Sequence, residues 1–382
     1  MIRNAIVIGA GIGGLACATA LARRGVAVRL LEQAPEITEV GAGLQVSPNG
    51  LAVLRALGVE DALVRSGAVT AQAVVMADYK QGAEVARLDL TRLQHQRYLF
   101  VHRHTLISIL LQAARQANVT LETGQKVVSV TQGDLPSVTF ADGRTARAER
   151  VICADGVHSI GRQTVSPGPE AQFTGQVAWR ATVPTQGAKP EARVTMAPGR
   201  HLVSYPISGG RLMNIVAVQE RDVWAAEGWH HSDDPDALRR AFAGFGGPVA
   251  PLLEQVSEVN LWGLFRHPVV ETWASGNVAL LGDAAHPTLP FLAQGANLAL
   301  EDAWVLAECL AGEQPEESYQ ALRKDRATQV IAAAGGNAWK YHLPTGPLRT
   351  LAHLGLSVAS RCAPGMMMRQ FDWIYSHDVT KR

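Results

Sequence analysis

The chain of 382 residues has little cysteine and little charge. Its four cysteines are widely spaced and form no Cys-x-x-Cys pair, which argues against a disulfide framework or a zinc site and favours a reducing compartment. Its 35 basic residues are scattered among 34 acidic ones, so neither nucleic acid nor an anionic membrane is an expected partner. Hydrophobic residues make up 47% and charged residues 18% of the chain, which predicts a large buried core rather than disorder.

Long apolar runs are also scarce. Residues 5–22 are nearly all apolar and follow Arg3, a pattern that a signal peptide or a membrane span would share. However, four glycines cluster inside this run, with β-branched residues before them and alanines after them, which indicates a strand, a tight turn and a helix. No later segment has eighteen residues without a charged or polar residue, so we expect a cytoplasmic protein.

Recognisable metal ligands and hydrolase nucleophiles are missing too. His230 and His231 are adjacent, so their side chains diverge. His95, His102 and His104 have no acidic residue or cysteine at ligand spacing. No Gly-x-Ser-x-Gly elbow occurs in the chain. The sequence therefore predicts neither a metal site nor a hydrolase.

The N-terminal segment has the pattern of a dinucleotide-binding βαβ unit. An apolar strand precedes Gly9, Gly11 and Gly14, a helix follows them, and a second strand leads to Glu32. Gly9 permits the tight turn, Gly11 lets the backbone approach a pyrophosphate, and Gly14 lets the helix pack closely on the strand. The helix N-terminus offers amides to phosphate, and the Glu32 carboxylate can accept from both ribose hydroxyls. This unit alone does not distinguish FAD from NAD.

The rest of the chain alternates between α/β and strand-rich stretches. Two hairpin turns are expected, at Asp142-Gly143 and at Gly209-Gly210. The predicted helices are 49–57, 101–117 and 297–310, and the end at 316–382 is mostly helical, interrupted by Pro344, Pro347 and Pro364. Short alternating strands are predicted within 126–151, and a single strand at 278–281. The stretch 171–266 is predicted to form an inserted antiparallel sheet, with strands at 177–183, 193–196, 201–207 and 211–219.

Two more segments follow apolar strands. Asp155, Gly156, Ser159 and Arg162 come after residues 151–154, and Gly282, Asp283 and Pro287 come after residues 278–281. In this order the three segments resemble the single-component FAD-dependent aromatic hydroxylases, the group A flavoprotein monooxygenases, whose pattern includes an internal "DG" motif and a "GD" motif. Gly161 departs from that pattern, since the family usually has a β-branched residue there. The matching positions are Asp155, Gly156, Ser159 and Arg162 in the DG motif and Gly282, Asp283 and Pro287 in the GD motif.

The resemblance covers nearly the whole chain and implies an α/β fold similar to para-hydroxybenzoate hydroxylase. That fold has a Rossmann-like FAD-binding domain, an inserted antiparallel β-sheet substrate domain and a C-terminal helical segment. The implied divisions are 1–75, 101–170 and 267–340 for the FAD-binding domain, 76–100 and 171–266 for the substrate domain, and 341–382 for the C-terminal segment.

The resemblance also implies which residues hold the cofactor. Asp283 should bond the ribityl chain of FAD, Asp155 should lie near the pyrophosphate and influence NAD(P)H binding, and Arg103 should contact the flavin. A loop of small residues at 41–49, which includes Gly43, should either run beside the flavin or be an ordinary loop. The expected cofactor-binding residues are Gly9, Gly11, Gly14, Glu32, Gly43, Arg103, Asp155, Gly282, Asp283, Pro290, Gly295, Ala296 and Asn297.

The segment from Gln294 to Asn297 opens a predicted helix. Free amides at that end can face the edge of the flavin where negative charge collects on reduction, and a helix N-terminus stabilises such charge by about 0.3–2 kcal/mol. Ordinary helix capping, with Asp283 as a turn residue, is the alternative. In the first interpretation, the start of this helix stabilises the negative charge of the reduced flavin.

Alternation along a predicted strand places His201, Val203 and Tyr205 on one face, with the outer Cα atoms about 13 Å apart. This His-x-x-x-Tyr-Pro stretch resembles the 3-hydroxybenzoate 6-hydroxylases, in which such a pair polarises the phenol. The implied role is withdrawal of a phenolic proton, for which the near-neutral pKa of histidine is suited. A polar face on an exposed strand is the alternative.

Residues 290–294 should form the loop above the flavin ring, with Phe291 and Leu292 as apolar walls. Met213 and Trp262 line the pocket in one interpretation and belong to the core in another. The expected catalytic residues are His201, Tyr205 and Gln294, and the expected substrate contacts are Met213, Pro290, Phe291 and Leu292.

The resemblance implies an FAD-dependent monooxygenase for a phenolic carboxylate or heteroaromatic analogue of the salicylate or 3-hydroxybenzoate type. NADH or NADPH would dock transiently, because no second glycine fingerprint follows a strand, and O2 would form a flavin C4a-hydroperoxide. The oxygen would enter ortho or para to the ring hydroxyl, in a monomer or homodimer. A flavin oxidase or dehydrogenase and a non-catalytic flavin-binding sensor stay open as alternatives.

Overall fold

The computed structural model of the protein describes residues 2–37, 42–93, 96–221, 231–314 and 317–381, without the side chains of 337–339. Gly41, His95 and His230 lie outside the described residues. The strands are β1 (Asn4–Ile8), β2 (Ala27–Leu31), β3 (Gly43–Val46), β4 (Val69–Thr70), β5 (Ala73–Asp78), β6 (Glu84–Asp89), β7 (Leu99–His102), β8 (Thr120–Glu122), β9 (Val127–Thr131), β10 (Ser137–Phe140), β11 (Thr145–Arg147), β12 (Arg150–Cys153), β13 (Gln172–Pro184), β14 (Glu191–Ala197), β15 (Arg200–Ile207), β16 (Leu212–Glu220), β17 (Ser232–Asp233), β18 (Val259–Arg266), β19 (Ala274–Ser275) and β20 (Val278–Leu280). The helices are α1 (Ile12–Arg23), α2 (Pro48–Ala56), α3 (Glu60–Arg65), α4 (Arg103–Gln116), α5 (Ile160–Val165), α6 (Pro235–Ala241), α7 (Ala250–Glu254), α8 (Gly295–Leu310), α9 (Ser318–Tyr341), α10 (Pro347–Cys362), α11 (Pro364–Arg369) and α12 (Asp372–Tyr375).

A six-stranded sheet in the order β19-β20-β12-β1-β2-β8 carries all three sequence motifs. Strands β20, β12, β1, β2 and β8 run parallel to their neighbours, and only the edge strand β19 is antiparallel. The glycine turn follows β1, the DG motif follows β12 and the GD motif follows β20. Because these three strands are adjacent and parallel, the three motifs meet at one edge of the sheet.

Two glycines allow this edge to be compact. Gly9 has a φ of +98°, and a Cβ on it would lie 2.5 Å from the carbonyl oxygen of Ala154. A Cβ on Gly14 would lie 1.9 Å from the carbonyl oxygen of Gly9. The first turn of α1 therefore packs directly on the strand before it, as the sequence predicted.

An eight-stranded sheet in the order β17-β18-β13-β16-β15-β14-β5-β6 forms the second layer. Its pairings are antiparallel except for the parallel pair β5 and β14, which the sequence did not indicate. The hairpin between β15 and β16 turns at Gly209 and Gly210, with φ of +68° and +78°, as predicted. On one face, α6 and α7 cover an apolar cluster that includes Trp179, Leu202 and Phe242. On the other face, Tyr205 packs against Phe100 of β7, and His201 packs against Phe291 of the loop before α8.

The predicted helix at 101–117 was wrong at its start. Val101 and His102 belong to β7, where they pair with Leu44 and Gly43 of β3, and the helix begins at Arg103. A short apolar run before a helix has no period of its own, so only the pairing partner decides between strand and helix.

The C-terminal region is helical, as predicted. Pro347 and Pro364 open α10 and α11 rather than interrupt a helix, which agrees with the preference of proline for the first helical turn. Among the described residues, no helix has both the length and the apolar content needed to cross a membrane.

Gly161, the position that departs from the family pattern, is a point of close packing. A Cβ there would lie 2.1 Å from Sγ and 2.7 Å from Cβ of Cys153 on β12. Since the Cβ of Cys153 cannot move by a side-chain rotation, a larger residue would push α5 away from the sheet.

We therefore expect Gly161→Ala to lower the free energy of unfolding by about 1–3 kcal/mol through overpacking. The matched control is Gly355→Ala on α10, where a Cβ meets nothing within 4 Å and should stabilise the helix by about 0.5–1 kcal/mol. Chemical denaturation of both variants measures the difference. Equal stabilities for the two variants would contradict the close packing of α5.

Candidate active site

The DG and GD motifs are joined by direct hydrogen bonds. Arg162 donates from Nε to the carbonyl oxygen of Ala284 at 2.9 Å and from Nη2 to that of Asp283 at 2.8 Å. Asp155 accepts from the backbone amide of Ile160 at 2.9 Å and so holds the start of α5. Burial raises the pKa of Asp155 above its usual value. The two motifs therefore form one rigid unit at the sheet edge.

The glycine turn leaves open space at the position predicted for a pyrophosphate. Gly11 precedes α1 with φ −73°, has no side-chain cap on its helix, and a Cβ there would meet nothing within 4 Å. Glu32 accepts from the backbone amides of Ala10 at 2.8 Å and Ala34 at 2.9 Å. An ionised carboxylate has about four acceptor sites, so Glu32 can hold the turn and still accept from a ribose.

Asp283 lies in a short 3₁₀ turn, Gly282–Ala284, that follows β20 at the same edge of the sheet. Loss of surrounding water raises the pKa of its carboxyl, whereas the positive charges of His286, Arg103 and His267 act to lower it. Arg103, at the start of α4, is thus close enough to Asp283 to act on its charge. The predicted cofactor residues of the GD motif and of α4 therefore face one another.

The start of α8 also faces this edge. Gln294 precedes the helix without capping it through its side chain, so the first amides have no side-chain acceptor. Asn297 uses its side chain elsewhere, accepting from the Ser47 amide at 3.1 Å and donating to the Ala293 carbonyl at 2.8 Å. Hence the backbone amides of Gly295 and Ala296 stay predicted cofactor contacts, while Asn297 holds Ser47 before α2.

Gln294 was predicted to contact the substrate, but both ends of its amide are used inside the protein. Its Nε2 donates to Ser47 Oγ at 3.0 Å, and its Oε1 accepts from Asn49 at 3.1 Å. The residue is 3% exposed. The side chain therefore holds Ser47 and Asn49 at the start of α2, and a catalytic role for Gln294 stays a prediction.

A buried ionic network that sequence reasoning missed supports these contacts. Asn49 donates to Glu301 at 2.6 Å, and Glu301 also pairs with Arg326 at 2.7 Å and with Arg323. Burial would raise the pKa of the Glu301 carboxyl, yet Arg323 and Arg326 hold it below its usual value. The adjacent charges at 301 and 302 inside an apolar helix were the signal available in the sequence.

The same network reaches the GD motif. Asp302 accepts from Arg323 Nε at 2.8 Å and from the backbone amide of Gly282 at 3.3 Å, and it also bonds His286. His286 stacks on Trp273 with ring centroids 4.7 Å apart. The GD turn is therefore anchored to α8 through buried charge.

The inner face of the eight-stranded sheet is the one opposite α6 and α7, where His201 packs against Phe291 and Tyr205 packs against Phe100. Register places three rows of side chains across β13, β16 and β15 on that face. Leu202 packs into the cluster on the opposite face, so the predicted alternation along β15 is confirmed. The rows are Ala178, Val218 and His201; Arg180, Val216 and Val203; and Thr182, Asn214 and Tyr205.

His201 is buried beside the loop that was predicted to cover the flavin ring. Its ring centroid lies 5.8 Å from that of Phe291 and 5.2 Å from that of Tyr341. Its Nδ1 lies 2.7 Å from Nε2 of His342. Burial, followed by the charge of His342, holds the pKa of His201 well below its usual value. His201 is therefore neutral at neutral pH and able to accept a proton.

Tyr205 lies deeper on the same face. Its ring centroid is 5.0 Å from that of Phe100, and burial raises the pKa of its hydroxyl. Gly43 packs against it, because a Cβ on Gly43 would lie 2.8 Å from Cε2 of Tyr205. Asn214 accepts from the Gly43 amide at 2.7 Å. The predicted cofactor residue Gly43 and the predicted catalytic residue Tyr205 are thus in contact.

Arg180 is a charged residue of this face that sequence reasoning missed. Its guanidinium carbon lies 5.0 Å from the ring centroid of Trp262, and its charge acts to lower the pKa of Tyr205. The signal was a single arginine at an alternating position of the predicted strand 177–183. Trp262 and Phe291 share one apolar cluster on this face.

Met213 does not share that face, which corrects its prediction as a substrate contact. It packs against the apolar cluster under α6 and α7, together with Ile215 and Ala217. Strand parity explains this, since residues 214, 216 and 218 point the other way. Pro290 begins a short 3₁₀ turn that ends at Leu292, and Leu292 packs against the main core rather than beside Phe291.

A cavity of 540 Å³ lies next to the GD motif. Its lining includes Pro287 and Leu289 of the loop, His267 after β18, and Ile331 of α9. Neither His201 nor Tyr205 lines it. The cavity therefore adjoins the flavin-side loop and is separate from the predicted catalytic pair.

Comparison with known proteins gives a family and several relatives. A family model described as an FAD binding domain matches residues 3–334. The chain is 37% identical to the 3-amino-4-hydroxybenzoate 2-monooxygenase of Streptomyces cremeus over 89% of this chain and 88% of that protein. It is 35% identical to the 6-hydroxynicotinate 3-monooxygenase of Bordetella bronchiseptica, over 87% and 91%. It is 34% identical to the 3-hydroxybenzoate 6-hydroxylase of Polaromonas naphthalenivorans, over 88% of each chain.

Solved structures show the same architecture. Klebsiella pneumoniae HpxO, solved in complex with FAD and uric acid, superposes with a TM-score of 0.84 at 27% identity, over 95% of both chains. A salicylate hydroxylase bound to its substrate superposes with a TM-score of 0.81 at 24% identity, over 99% of this chain and 96% of that one. The second likeness concerns the fold alone.

The open space at Gly11 makes a direct test of the cofactor site. We expect Gly11→Val to fold normally, with apoprotein stability within about 0.5 kcal/mol of the wild type, because a Cβ at this position meets no protein atom within 4 Å. The valine would occupy the path of the pyrophosphate and weaken FAD binding by about 10²-fold, the loss of one or two charged hydrogen bonds. Flavin fluorescence titration and thermal melting of the apoprotein measure the two effects.

Gly14→Ala is the contrasting variant, because its Cβ would strike the Gly9 carbonyl and should destabilise the apoprotein itself. Wild-type FAD affinity in Gly11→Val would show that the pyrophosphate lies elsewhere.

The residues present fit FAD. The open turn at Gly11 and the uncapped start of α8 provide amides for negative charge, and Glu32 and Asp283 provide carboxylates for hydroxyls. The family match and the relatives agree with this assignment and with the fold predicted from the sequence. The chain belongs to the FAD-dependent aromatic hydroxylases.

Proposed function

We propose that the protein hydroxylates a small aromatic ring that carries both a hydroxyl and a carboxylate. The observation that supports this is a set of three polar side chains, His201, Tyr205 and Arg180, on the inner face of the eight-stranded sheet. A neutral imidazole and a protonated phenol can form hydrogen bonds with the ring hydroxyl, and a guanidinium can bind the carboxylate. FAD, reduced by NADH or NADPH, supplies the activated oxygen atom from O2.

His201 is the proposed base for the ring hydroxyl. Its Nδ1 is used by His342, whereas its Nε2 has no hydrogen-bond partner in the part of the chain that the structure describes. Acceptance of the phenolic proton by Nε2 raises the electron density of the ring carbons ortho and para to that oxygen. Because burial lowers the pKa of His201, the imidazole is neutral and ready to accept.

Arg180 is the proposed partner of the carboxylate. It lies one cross-strand row from His201 and one from Tyr205, so it can hold the opposite end of a ring whose hydroxyl meets His201. A guanidinium binds a carboxylate through two parallel hydrogen bonds, which fix the ring plane as well as its position. Stacking on Trp262 keeps the guanidinium in one orientation.

Tyr205 and the apolar residues complete the proposed pocket. Since burial raises its pKa, Tyr205 keeps its proton and can donate a hydrogen bond to the substrate. Phe291, Val216 and Trp262 surround His201 and Arg180 with apolar surface, which excludes water from the reacting carbon. We also propose that Asp155 lies near the FAD pyrophosphate. The protein is proposed to be cytoplasmic and to be a monomer or a homodimer.

The three relatives act, by their names, on 3-amino-4-hydroxybenzoate, 6-hydroxynicotinate and 3-hydroxybenzoate. Each of these compounds has a ring hydroxyl and a carboxylate, which is the pair of groups that His201 and Arg180 are proposed to bind. This agreement supports a phenolic carboxylate or its heteroaromatic analogue as substrate class.

A substrate panel tests the proposal. With 3-amino-4-hydroxybenzoate, 6-hydroxynicotinate, 3-hydroxybenzoate and salicylate, we expect at least one compound to accelerate NADH or NADPH oxidation and to gain one oxygen atom. Oxygen electrode traces and mass spectrometry of the product measure this. Bleaching of the flavin by the aromatic compound alone, without air or NAD(P)H, would favour an oxidase. No stimulation by any compound would favour a binding protein.

Replacement of Arg180 tests the carboxylate contact. We expect Arg180→Met to raise KM for 3-amino-4-hydroxybenzoate by about 10²-fold, the value of one charge-assisted hydrogen bond pair, without loss of FAD. The matched comparison is 2-aminophenol, which is the same ring without the carboxylate and should be affected little. An equal effect on both compounds would mean that Arg180 acts on packing rather than on the carboxylate.

A further inference from the structure

His201 is the inner end of a hydrogen-bonded chain that reaches the surface. Its Nδ1 lies 2.7 Å from Nε2 of His342, and Nδ1 of His342 lies 2.8 Å from Oε1 of Glu220. The His342 side chain is 2% exposed, whereas that of Glu220 is 54% exposed. Two buried imidazoles therefore connect the inner sheet face with a carboxylate in solvent.

The three residues come from distant parts of the chain. His201 is on β15, Glu220 ends β16, and His342 follows the last residue of α9. The carbonyl of His342 accepts from the Gly199 amide at 3.2 Å, so the end of α9 is fixed against the β14–β15 turn. No local sequence pattern joins position 342 to the strand pair.

The carboxylate determines the direction of each hydrogen bond. A neutral imidazole has one N–H and one lone pair, and an ionised carboxylate can only accept. The Nδ1 of His342 must therefore donate to Glu220, which leaves its Nε2 as acceptor for the Nδ1–H of His201. It follows that Nε2 of His201 carries the lone pair, and this is the nitrogen without a partner among the described residues.

We propose that Glu220, His342 and His201 form a proton path between the substrate hydroxyl and solvent, in which Glu220 also keeps Nε2 of His201 unprotonated. The proposal rests on the function proposed above, because it assumes a phenolic hydroxyl at His201. His342 and Glu220 act through His201 and are positioning and relay residues that do not touch the substrate.

The proton steps balance along the chain. The phenol O–H bond breaks as an N–H bond forms at Nε2 of His201, and the Nδ1 proton of His201 moves to Nε2 of His342. The Nδ1 proton of His342 then moves to Glu220, which releases it to water. Return of one proton by the reverse route, when the ring regains a neutral hydroxyl, restores the original tautomers.

The surroundings of the two rings favour transfer over storage of the proton. Burial is the largest influence on the pKa of each histidine and lowers both values, while Glu220 acts to raise that of His342. Tyr341 packs on His201 from α9, and Phe291 packs on it from the loop before α8. Arg200, the charged neighbour on β15, bonds the Ala241 carbonyl on the other face of the sheet.

The test measures proton release when the oxidised, FAD-loaded enzyme binds the panel phenol with the highest product yield, 3-amino-4-hydroxybenzoate in the expected case. Stopped-flow mixing in weak buffer with a pH indicator gives the rate. In Glu220→Gln we expect release at least about tenfold slower than in the wild type, because a neutral amide neither fixes the tautomers nor carries the proton to water. Glu220→Asp should recover most of the rate.

Two further variants keep the result unambiguous. Glu254→Gln removes the same charge from an exposed position on α7 and should release protons at the wild-type rate. His342→Gln keeps a hydrogen-bonding side chain but has no ring to pass a proton, and it should be slowed by about 10²-fold, the usual contribution of a general acid–base group. FAD absorbance and ligand affinity report whether each variant is folded.

Wild-type release rates in folded Glu220→Gln and His342→Gln would overturn the path while leaving the hydroxylase function intact. A wild-type enzyme that hydroxylates no panel phenol would overturn the proposed function, and the path with it. Slow release in both variants, with product formation retained in the wild type and in Glu254→Gln, supports the path.

Discussion

Burial of two adjacent carboxylates, Glu301 and Asp302, inside an apolar helix is the constraint on which the geometry of the site depends. Removing two charges from water is expensive unless cations and hydrogen-bond donors meet them, and removal of one partner from such a pair costs about 3–5 kcal/mol. That is a large part of the total stability of an ordinary domain, about 5–15 kcal/mol. Their partners include Arg323, His286 and Asn49, so α8, the GD turn and the start of α2 are held in one arrangement.

In this arrangement the six-stranded and the eight-stranded sheet have different roles. The parallel sheet and its three turns carry the backbone amides and carboxylates that were predicted to bind FAD, and close glycine packing and Arg162 set the positions of these groups. The eight-stranded sheet contributes side chains that differ in chemistry from one cross-strand row to the next, from a neutral imidazole at His201 to a guanidinium at Arg180. A change of substrate in such a fold requires a change at a few alternating strand positions, while the cofactor side can stay as it is.

The sequence predicted what local patterns encode. Glycine spacing gave the turn after β1, and alternation placed His201 and Tyr205 on one face. Parity also shows why Met213 was misplaced, since an odd position on β16 must point away from Asn214. The sequence could not predict contacts between residues far apart in the chain, such as His342 beside His201. No periodicity relates a residue after a helix to a strand 141 positions earlier. The hydrogen bonds of Gln294 to Ser47 and Asn49, about 245 positions earlier, were missed for the same reason.

A buried histidine presents a difficulty as a base. The apolar surroundings that keep His201 neutral, and so able to accept a proton, also make its protonated form unfavourable. A base of this kind serves catalysis only if the proton moves on, and a second buried ring alone would have the same difficulty. The hydrogen-bonded path from His201 through His342 ends at an exposed carboxylate, which removes this difficulty. Glu220 can release the proton to water, and its negative charge stabilises the protonated form of the neighbouring His342 ring. The depth of the pocket and the length of the path are therefore linked, since a more buried base needs a longer route to solvent.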